Sequence, residues 1–256
     1  MDQSLSFNRA LVEKYDRPGP RYTSYPTAPQ FHQAFAMDDY HAAAQASNQA
    51  AVPKALSLYI HIPFCKSLCY YCACNKIITQ KTHRAVEYLN YLKREIAMQA
   101  ALFDRTRTLR QLHLGGGTPT YLTREQLAEL MDCLHQAFNL DDSDEHEFSI
   151  EVDPRKVDRA TVDLLAELGF NRMSLGVQDF DENVQKAVNR IQSEEETFAV
   201  MDAARANGFK SISIDLIYGL PKQTVNGFNR TLDRVIAASP DRLSIYNYAH
   251  LPTLFK

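Results

Sequence analysis

The sequence has no surplus of charge of either sign large enough to define a partner: 28 Lys and Arg stand against 31 Asp and Glu, a formal net charge of −3 over 256 residues. Proteins that track a nucleic-acid backbone carry a basic surplus, so nucleic acid is not a favoured partner. No apolar run reaches membrane-spanning length, and residues Met1 to Ala10 contain no basic segment leading into an apolar one. A soluble chain without a membrane partner is expected. Cysteine is scarce and unevenly placed, with five in all and four of them inside ten positions. That distribution argues against a disulfide framework and points to a reducing, cytoplasmic setting. Two phosphate-binding patterns are missing too: neither a Walker lysine nor spaced dinucleotide glycines follow the cluster Gly115-Gly116-Gly117. The eight histidines show no metal-ligand spacing, and His61 and His113, both on strand-like runs, read as hydrogen-bonded core residues.

With 45% hydrophobic and 23% charged residues, a chain of this length builds one large core or two modest ones. One unit recurs about six times: a short apolar strand, a Gly- or Pro-marked loop, and an amphipathic helix. The expected strands are Leu58–Ile62, Leu109–Leu114, Glu147–Val152, Asn171–Val177, Ser211–Ile217 and Arg242–Tyr248. Between them, Ala85, Leu89, Leu92 and Ile96 form one helical stripe and Leu127, Leu130, Met131 and Leu134 another, the second opened by a capping box of Thr123 and Gln126. Gly169 and Gly208, each followed by Phe, read as helix stops. Regular alternation of strand and helix predicts an α/β fold with a parallel sheet, either doubly wound or curved into a barrel. Polar and glycine residues cluster at the carboxyl ends of the strands: Cys65, Gly115–Gly117, Glu151, Gln178, Asp215 with Gly219, and Ala249-His250. Barrels build their active face there, so the curved form is favoured.

The cysteines are spaced Cys65-x3-Cys69-x2-Cys72-x-Cys74, directly after the first strand. Soft thiolates this close together suit an iron–sulfur cluster or zinc. Zinc sites usually return to the metal with a distant Cys or His pair, whereas the only later cysteine, Cys133, sits alone in a helical pattern, so a cluster is favoured. Cys74 lies only two residues beyond Cys72 and cannot easily reach the same cubane. Cys65, Cys69 and Cys72 are therefore the expected ligands, which leaves one iron open.

At this point the chain resembles the radical S-adenosylmethionine enzymes, whose Cys-x3-Cys-x2-Cys loop carries a [4Fe–4S] cluster and has an aromatic residue, here Tyr71, before the third cysteine. A closer resemblance spans essentially the whole chain. The stretches Gly19-Pro-Arg-Tyr-Thr-Ser-Tyr-Pro26, Leu58-Tyr-Ile-His-Ile-Pro-Phe-Cys65, the Cys72-Ala-Cys74 pair, His113-Leu-Gly-Gly-Gly-Thr-Pro119, Gly176-Val-Gln-Asp179, Asp215-Leu-Ile-Tyr-Gly-Leu-Pro221 and Tyr246-Asn-Tyr-Ala-His-Leu-Pro252 are similar to those of oxygen-independent coproporphyrinogen III oxidases. The resemblance implies a partial six-unit TIM-like radical SAM barrel over residues 54–256, preceded by an amino-terminal extension of residues 1–53. It also implies conversion of two propionates of coproporphyrinogen III to vinyl groups in haem biosynthesis, by a 5′-deoxyadenosyl radical mechanism.

Position by position, the same resemblance makes Cys65, Cys69 and Cys72 the cluster ligands. It makes Tyr59, Tyr71, Gly116, Gly117, Thr118, Glu151, Gln178, Arg190, Asp215 and Ala249 contacts of S-adenosylmethionine, spread over two molecules of that cofactor. Gly116 and Gly117 are expected to serve close backbone approach to the cofactor rather than folding alone. Arg21, beside Tyr22 and Tyr25, is a weaker candidate for a substrate carboxylate. Partners implied are coproporphyrinogen III and an electron donor such as a flavodoxin-type protein, with a monomer as the full-length form. The family continues well past Lys256 into further barrel units and a covering helical domain, so the chain reads as carboxyl-terminally truncated, with an exposed edge near Tyr246, Tyr248 and Phe255. Two alternatives stand beside this reading: a haem-binding chaperone built on the radical SAM scaffold, and a zinc-organised interaction module.

Overall fold

Alternation of apolar and polar residues along six segments produces a sheet with two unlike faces. In the computed structural model, which describes residues 7–17 and 27–250, these segments are β1 (Leu56–Ile62), β2 (Thr108–Gly116), β3 (Glu147–Val152), β4 (Arg172–Gln178), β5 (Ser211–Tyr218) and β6 (Arg242–Asn247). All six pair in parallel and in chain order, β1-β2-β3-β4-β5-β6. A doubly wound sheet reverses its strand order at a switch point, and this sheet does not. Right-handed crossovers then place the core-forming connecting helices on one face, which is the arrangement of a partial barrel. The six expected strands are all present.

The chain groups into two compact units, Met1–Gln49 and Ala50–Lys256. In the first, α1 (Arg9–Tyr15) is capped by the Asn8 side chain, which accepts from Leu11 N–H at 3.0 Å. The same unit contains α2 (Met37–Asn48). Arg21, Tyr22, Tyr25 and Phe255 lie outside the described residues.

The second unit carries α3 (His83–Ala100), α4 (Arg124–Ala137), α5 (Arg159–Glu167), α6 (Glu182–Ala187), α7 (Glu194–Ala206) and α8 (Val225–Ala238). Its core forms where the predicted stripes Ala85, Leu89, Leu92, Ile96 and Leu127, Leu130, Met131, Leu134 meet strand residues such as Ile62, Leu112, Leu114, Ile150, Leu175 and Ile214, all buried. The α4 capping box is reciprocal: Gln126 N–H donates to Thr123 Oγ1 at 3.2 Å and Thr123 N–H to Gln126 Oε1 at 3.0 Å. Gly169 (φ +88°) and Gly208 (φ +75°) end α5 and α7 in the left-handed region. The following Phe170 and Phe209 donate back to Leu165 and Ala204 carbonyls at 3.0 Å, closing each helix with a buried ring behind it.

The opposite, concave face is polar. Ser57, Gln111, His113, Glu147, Ser149, Arg172, Ser174, Ser213, Arg242 and Ser244 border a cavity of about 340 Å³. Two sequence readings change here. His61 and His113 are hydrogen-bonded but lie on this face rather than in the apolar core, because strand alternation sends odd-numbered positions of β1 and β2 inward. Asp215 stands in the middle of β5 rather than at its end. At the sheet edge, β6 leaves Leu243, Ile245 and Tyr246 exposed. Among the described residues no helix is long and apolar enough to cross a membrane.

Candidate functional site

The cysteine loop begins where β1 ends and is tied at its base. Phe64–Cys65 pair in parallel with Ile77–Ile78, with Ile77 N–H donating to Pro63 C=O at 2.7 Å and Thr79 N–H to Cys65 C=O at 3.0 Å. Within the loop, Cys72 N–H donates to Cys69 C=O at 3.1 Å, and Lys76 Nζ reaches the carbonyls of Cys72 (2.7 Å) and Cys74 (3.3 Å). Cys69 is buried, Cys65 and Cys72 are half-buried and Cys74 is exposed. A hydrogen bond from Cys74 draws the Cys72 thiol down to about 6, while the same contact and burial drive Cys74 up. Burial raises the Cys65 thiol, against the opposing hydrogen bond of Thr118.

The glycine loop lies against the start of this segment. Gly117 N–H donates to Ile62 C=O at 2.8 Å, and Thr118 Oγ1 stands 3.5 Å from Cys65 Sγ. A Cβ on Gly117 would meet the backbone of Pro63 and Phe64 at 2.9 Å, and one on Gly116 (φ +118°) would meet Ile62 C=O at 2.9 Å. Both positions therefore require glycine for packing of the protein's own backbone, before any ligand is considered. A packing requirement thus stands beside the expected one of cofactor approach.

Two groups of predicted residues assemble around these loops. In the first, Glu151 accepts from Gly116 N–H at 3.1 Å and lies 3.4 Å from His113 Nε2. His113 shares a 2.5 Å hydrogen bond with Ser149, and Tyr59 stacks on His113 with ring centroids 5.7 Å apart. In the second, Arg190 is buried with Nη1 3.8 Å from Cys69 Sγ, while Nη2 lies 2.7 Å from Gly176 C=O and 3.5 Å from Asp153. Its Nε is buried without a partner. Burial works against the Arg190 charge, yet Tyr71, Asp153 and Cys69 hold the guanidinium above its ordinary value. Tyr71 packs against Val184, Val188, Ile217 and Leu220, and burial raises its hydroxyl. Gln178 ends β4 in the left-handed region at φ +69°, a conformation that costs a non-glycine residue energy and is typical of ligand sites. Asp215 accepts from Ser174 at 2.9 Å, and burial lifts its carboxyl above the usual range. Ala249 is exposed beyond β6.

The model of the radical SAM superfamily matches residues 59–235. The chain belongs to the radical SAM superfamily. Such a family implies a [4Fe–4S] cluster and S-adenosylmethionine. The resemblance read from the motifs is borne out by curated relatives named oxygen-independent coproporphyrinogen III oxidase. The one from Pseudomonas aeruginosa is 54% identical over 255 residues, covering 100% of this chain and 55% of the relative. The one from Escherichia coli K12 is 51% identical over 256 residues, covering 99% and 54%. The solved structure of coproporphyrinogen III oxidase from Escherichia coli, described as a radical SAM enzyme, superimposes with a TM-score of 0.87 at 50% identity, covering 99% of this chain and 55% of that one. A structure of anSMEcpe with bound AdoMet shares the fold at 14% identity and a TM-score of 0.54, covering 75% of this chain and 51% of that one. The chain thus spans about half the length of the curated relatives it matches.

The radical SAM donor set fits a cluster. Three cysteines on one loop, with no second Cys or His pair returning to them in the sequence, are the soft donor set of a cluster rather than of zinc. The three thiols face three different surroundings, Thr118, Arg190 and Cys74, and Lys76 is held on the carbonyls of the same loop. The zinc module is not favoured. Asp153, Arg155 and Asn189 join this site without belonging to any of the motifs above. The only sequence hint was Asp153-Pro-Arg155 at the end of the third strand, and nothing in the local sequence marked Asn189.

Proposed function

We propose that this chain is the cluster-bearing part of an oxygen-independent coproporphyrinogen III oxidase, acting in the anaerobic conversion of two substrate propionates to vinyl groups. The observation that carries this reading is the meeting of the cysteine loop, the glycine loop and Glu151 at one end of the partial barrel, in a chain 54% identical to a relative of that name. Cys65, Cys69 and Cys72 hold the [4Fe–4S] cluster, and Cys74 does not. When bound, the cluster and S-adenosylmethionine supply the one-electron, hydrogen-abstracting chemistry.

The chain's own residues bind and orient. Glu151, fixed by Gly116 N–H at Oε2 and lying 3.4 Å from His113 Nε2 through Oε1, keeps further lone pairs to accept from a cofactor amino or hydroxyl group. Tyr59, Tyr71, Gly116, Gly117 and Thr118 surround the same end of the barrel. Arg190 offers its unpaired Nε–H to an acceptor, and Gln178, Asp215 and Ala249 complete a place for a second S-adenosylmethionine. Residues 1–53 act as an extension to the core of residues 54–256. In the whole protein a flavodoxin-type donor supplies electrons, and the enzyme is a cytoplasmic monomer.

The test is anaerobic reconstitution of the chain. Iron and sulfide of about four each per chain, lost in Cys65→Ser, Cys69→Ser and Cys72→Ser but kept in Cys74→Ser, are the expected result. Conversion of coproporphyrinogen III, assayed with S-adenosylmethionine and reductant in the full-length protein, then decides the substrate. Zinc in place of iron, or full conversion by the Cys72→Ser variant, would sink the reading.

A further inference from the structure

Three helices in this unit end in the same way, but one of them uses a different residue. At α5 and α7 the left-handed position is Gly169 or Gly208, and a Cβ on Gly208 would meet nothing within 4 Å. At α6 the position is taken by Asn189, at φ +56°. Its neighbour Arg190 donates to Gln185 C=O at 2.9 Å, the closing bond that Phe170 and Phe209 make at the other two ends. Asparagine tolerates this conformation nearly as well as glycine, so its presence adds a side-chain amide at little backbone cost.

That amide has a partner far away in sequence. Asn189 Nδ2 donates to Leu68 C=O at 2.7 Å. On either side of it, Val188 C=O accepts from Tyr70 N–H at 3.0 Å and Arg190 Nη1 lies 3.8 Å from Cys69 Sγ. Three consecutive residues of the α6 exit thus hold three consecutive residues of the cysteine-loop tip. The exit is itself anchored: Arg190 Nη2 is fixed by Gly176 C=O and Asp153, and Asp153 is paired with Arg155 at 2.7 Å. The base of the loop is held by its own short ladder, so the tip is the part that needs an outside hold.

We propose that Val188-Asn189-Arg190 is a clasp that keeps the cysteine-loop tip in place, with Asn189 as a positioning residue for Cys69. The proposal rests on the reading of this loop as the cluster site. The clasp slows loss of the cluster, because Cys69 cannot swing away while Leu68 and Tyr70 are both bonded to the α6 exit.

The experiment compares wild type, Asn189→Gly, Asn189→Ala and, as control, Gly208→Asn after anaerobic reconstitution, reading iron release to a chelator together with the melting temperature. Asn189→Gly keeps the turn and loses only the amide; iron release about fivefold faster at nearly unchanged melting temperature is expected. Asn189→Ala, which also strains the turn, should release iron faster still, and Gly208→Asn should match wild type. Should Asn189→Gly fail to fold, Asn189→Asp, isosteric and without the donor, gives the same answer. Release at the wild-type rate in the folded Asn189 variants overturns the clasp while leaving the cluster reading intact. A wild-type chain with no iron and sulfide overturns both.

Discussion

The two faces of the sheet are made by the same strands and do different work. Toward the helices, Ile62, Leu114, Ile150, Leu175 and Ile214 are fully buried at 0% exposure. One residue away in each case, the side chain turns to the concave side, where His61 pairs with Tyr59, His113 with Ser149 and Glu151, and Ser174 with Asp215 through hydrogen bonds. Burial of apolar area stabilises the first face, while the second keeps polar groups half-hydrated and available. A strand period of two lets one sequence carry a core and a reaction surface with little conflict between them.

Asp153 is where this division should break down. It follows β3 on the concave side, yet it is buried, and it carries Arg155 and Arg190 on one carboxylate. Replacing it with Ala leaves one buried and one half-buried guanidinium group, Arg190 and Arg155, without their anion. A loss of about 4 kcal/mol in denaturant unfolding is expected, larger than for any other concave-side residue. Burial alone would raise its carboxyl, but the hydrogen bonds and charges of Arg155 and Arg190 hold it below the usual range. A folded-state value below the unfolded one contributes stability above about pH 4, lost as pH falls through the lower folded value. The gap between wild type and Asp153→Asn should therefore be full at neutral pH and close in acid; a gap that is constant with pH would refute the assignment.

On the helix side, Leu114→Ala opens a cavity in a fully enclosed site and should cost about 3 kcal/mol, measured by the same denaturant titration. Gly117→Ala probes the junction of the two loops. The added methyl has only backbone to displace, at 2.9 Å, so about 2 kcal/mol should be lost along with iron retention. Normal stability with impaired S-adenosylmethionine binding would instead return Gly117 to a purely ligand-facing role.

The smallest effects belong to the concave face, and one has the opposite sign. Burial raises the Asp215 carboxyl above its unfolded value, so its ionised form weakens the fold once pH rises above about 4. Asp215→Asn should raise stability at neutral pH by about 1 kcal/mol, with the gain disappearing in acid, at a cost to function. A destabilised variant at pH 7 would show that the Ser174 contact outweighs desolvation.

Sequence alone determined the elements of this protein and the residues proposed to carry its chemistry. Period-two strands, the capping box at Thr123, the glycine stops before Phe170 and Phe209 and the spacing of the cysteines are local features, set by backbone geometry and short-range hydrogen bonds. Tertiary structure decided what those residues meet. No local pattern could reveal that Asn189 reaches Leu68, that Arg190 lies buried beside Cys69 rather than on an exposed helix, or that Gly117 is demanded by Pro63 and Phe64. Those relations join positions brought together only when the parallel sheet sets its strand ends side by side, because a contact between distant segments depends on the path of the chain between them.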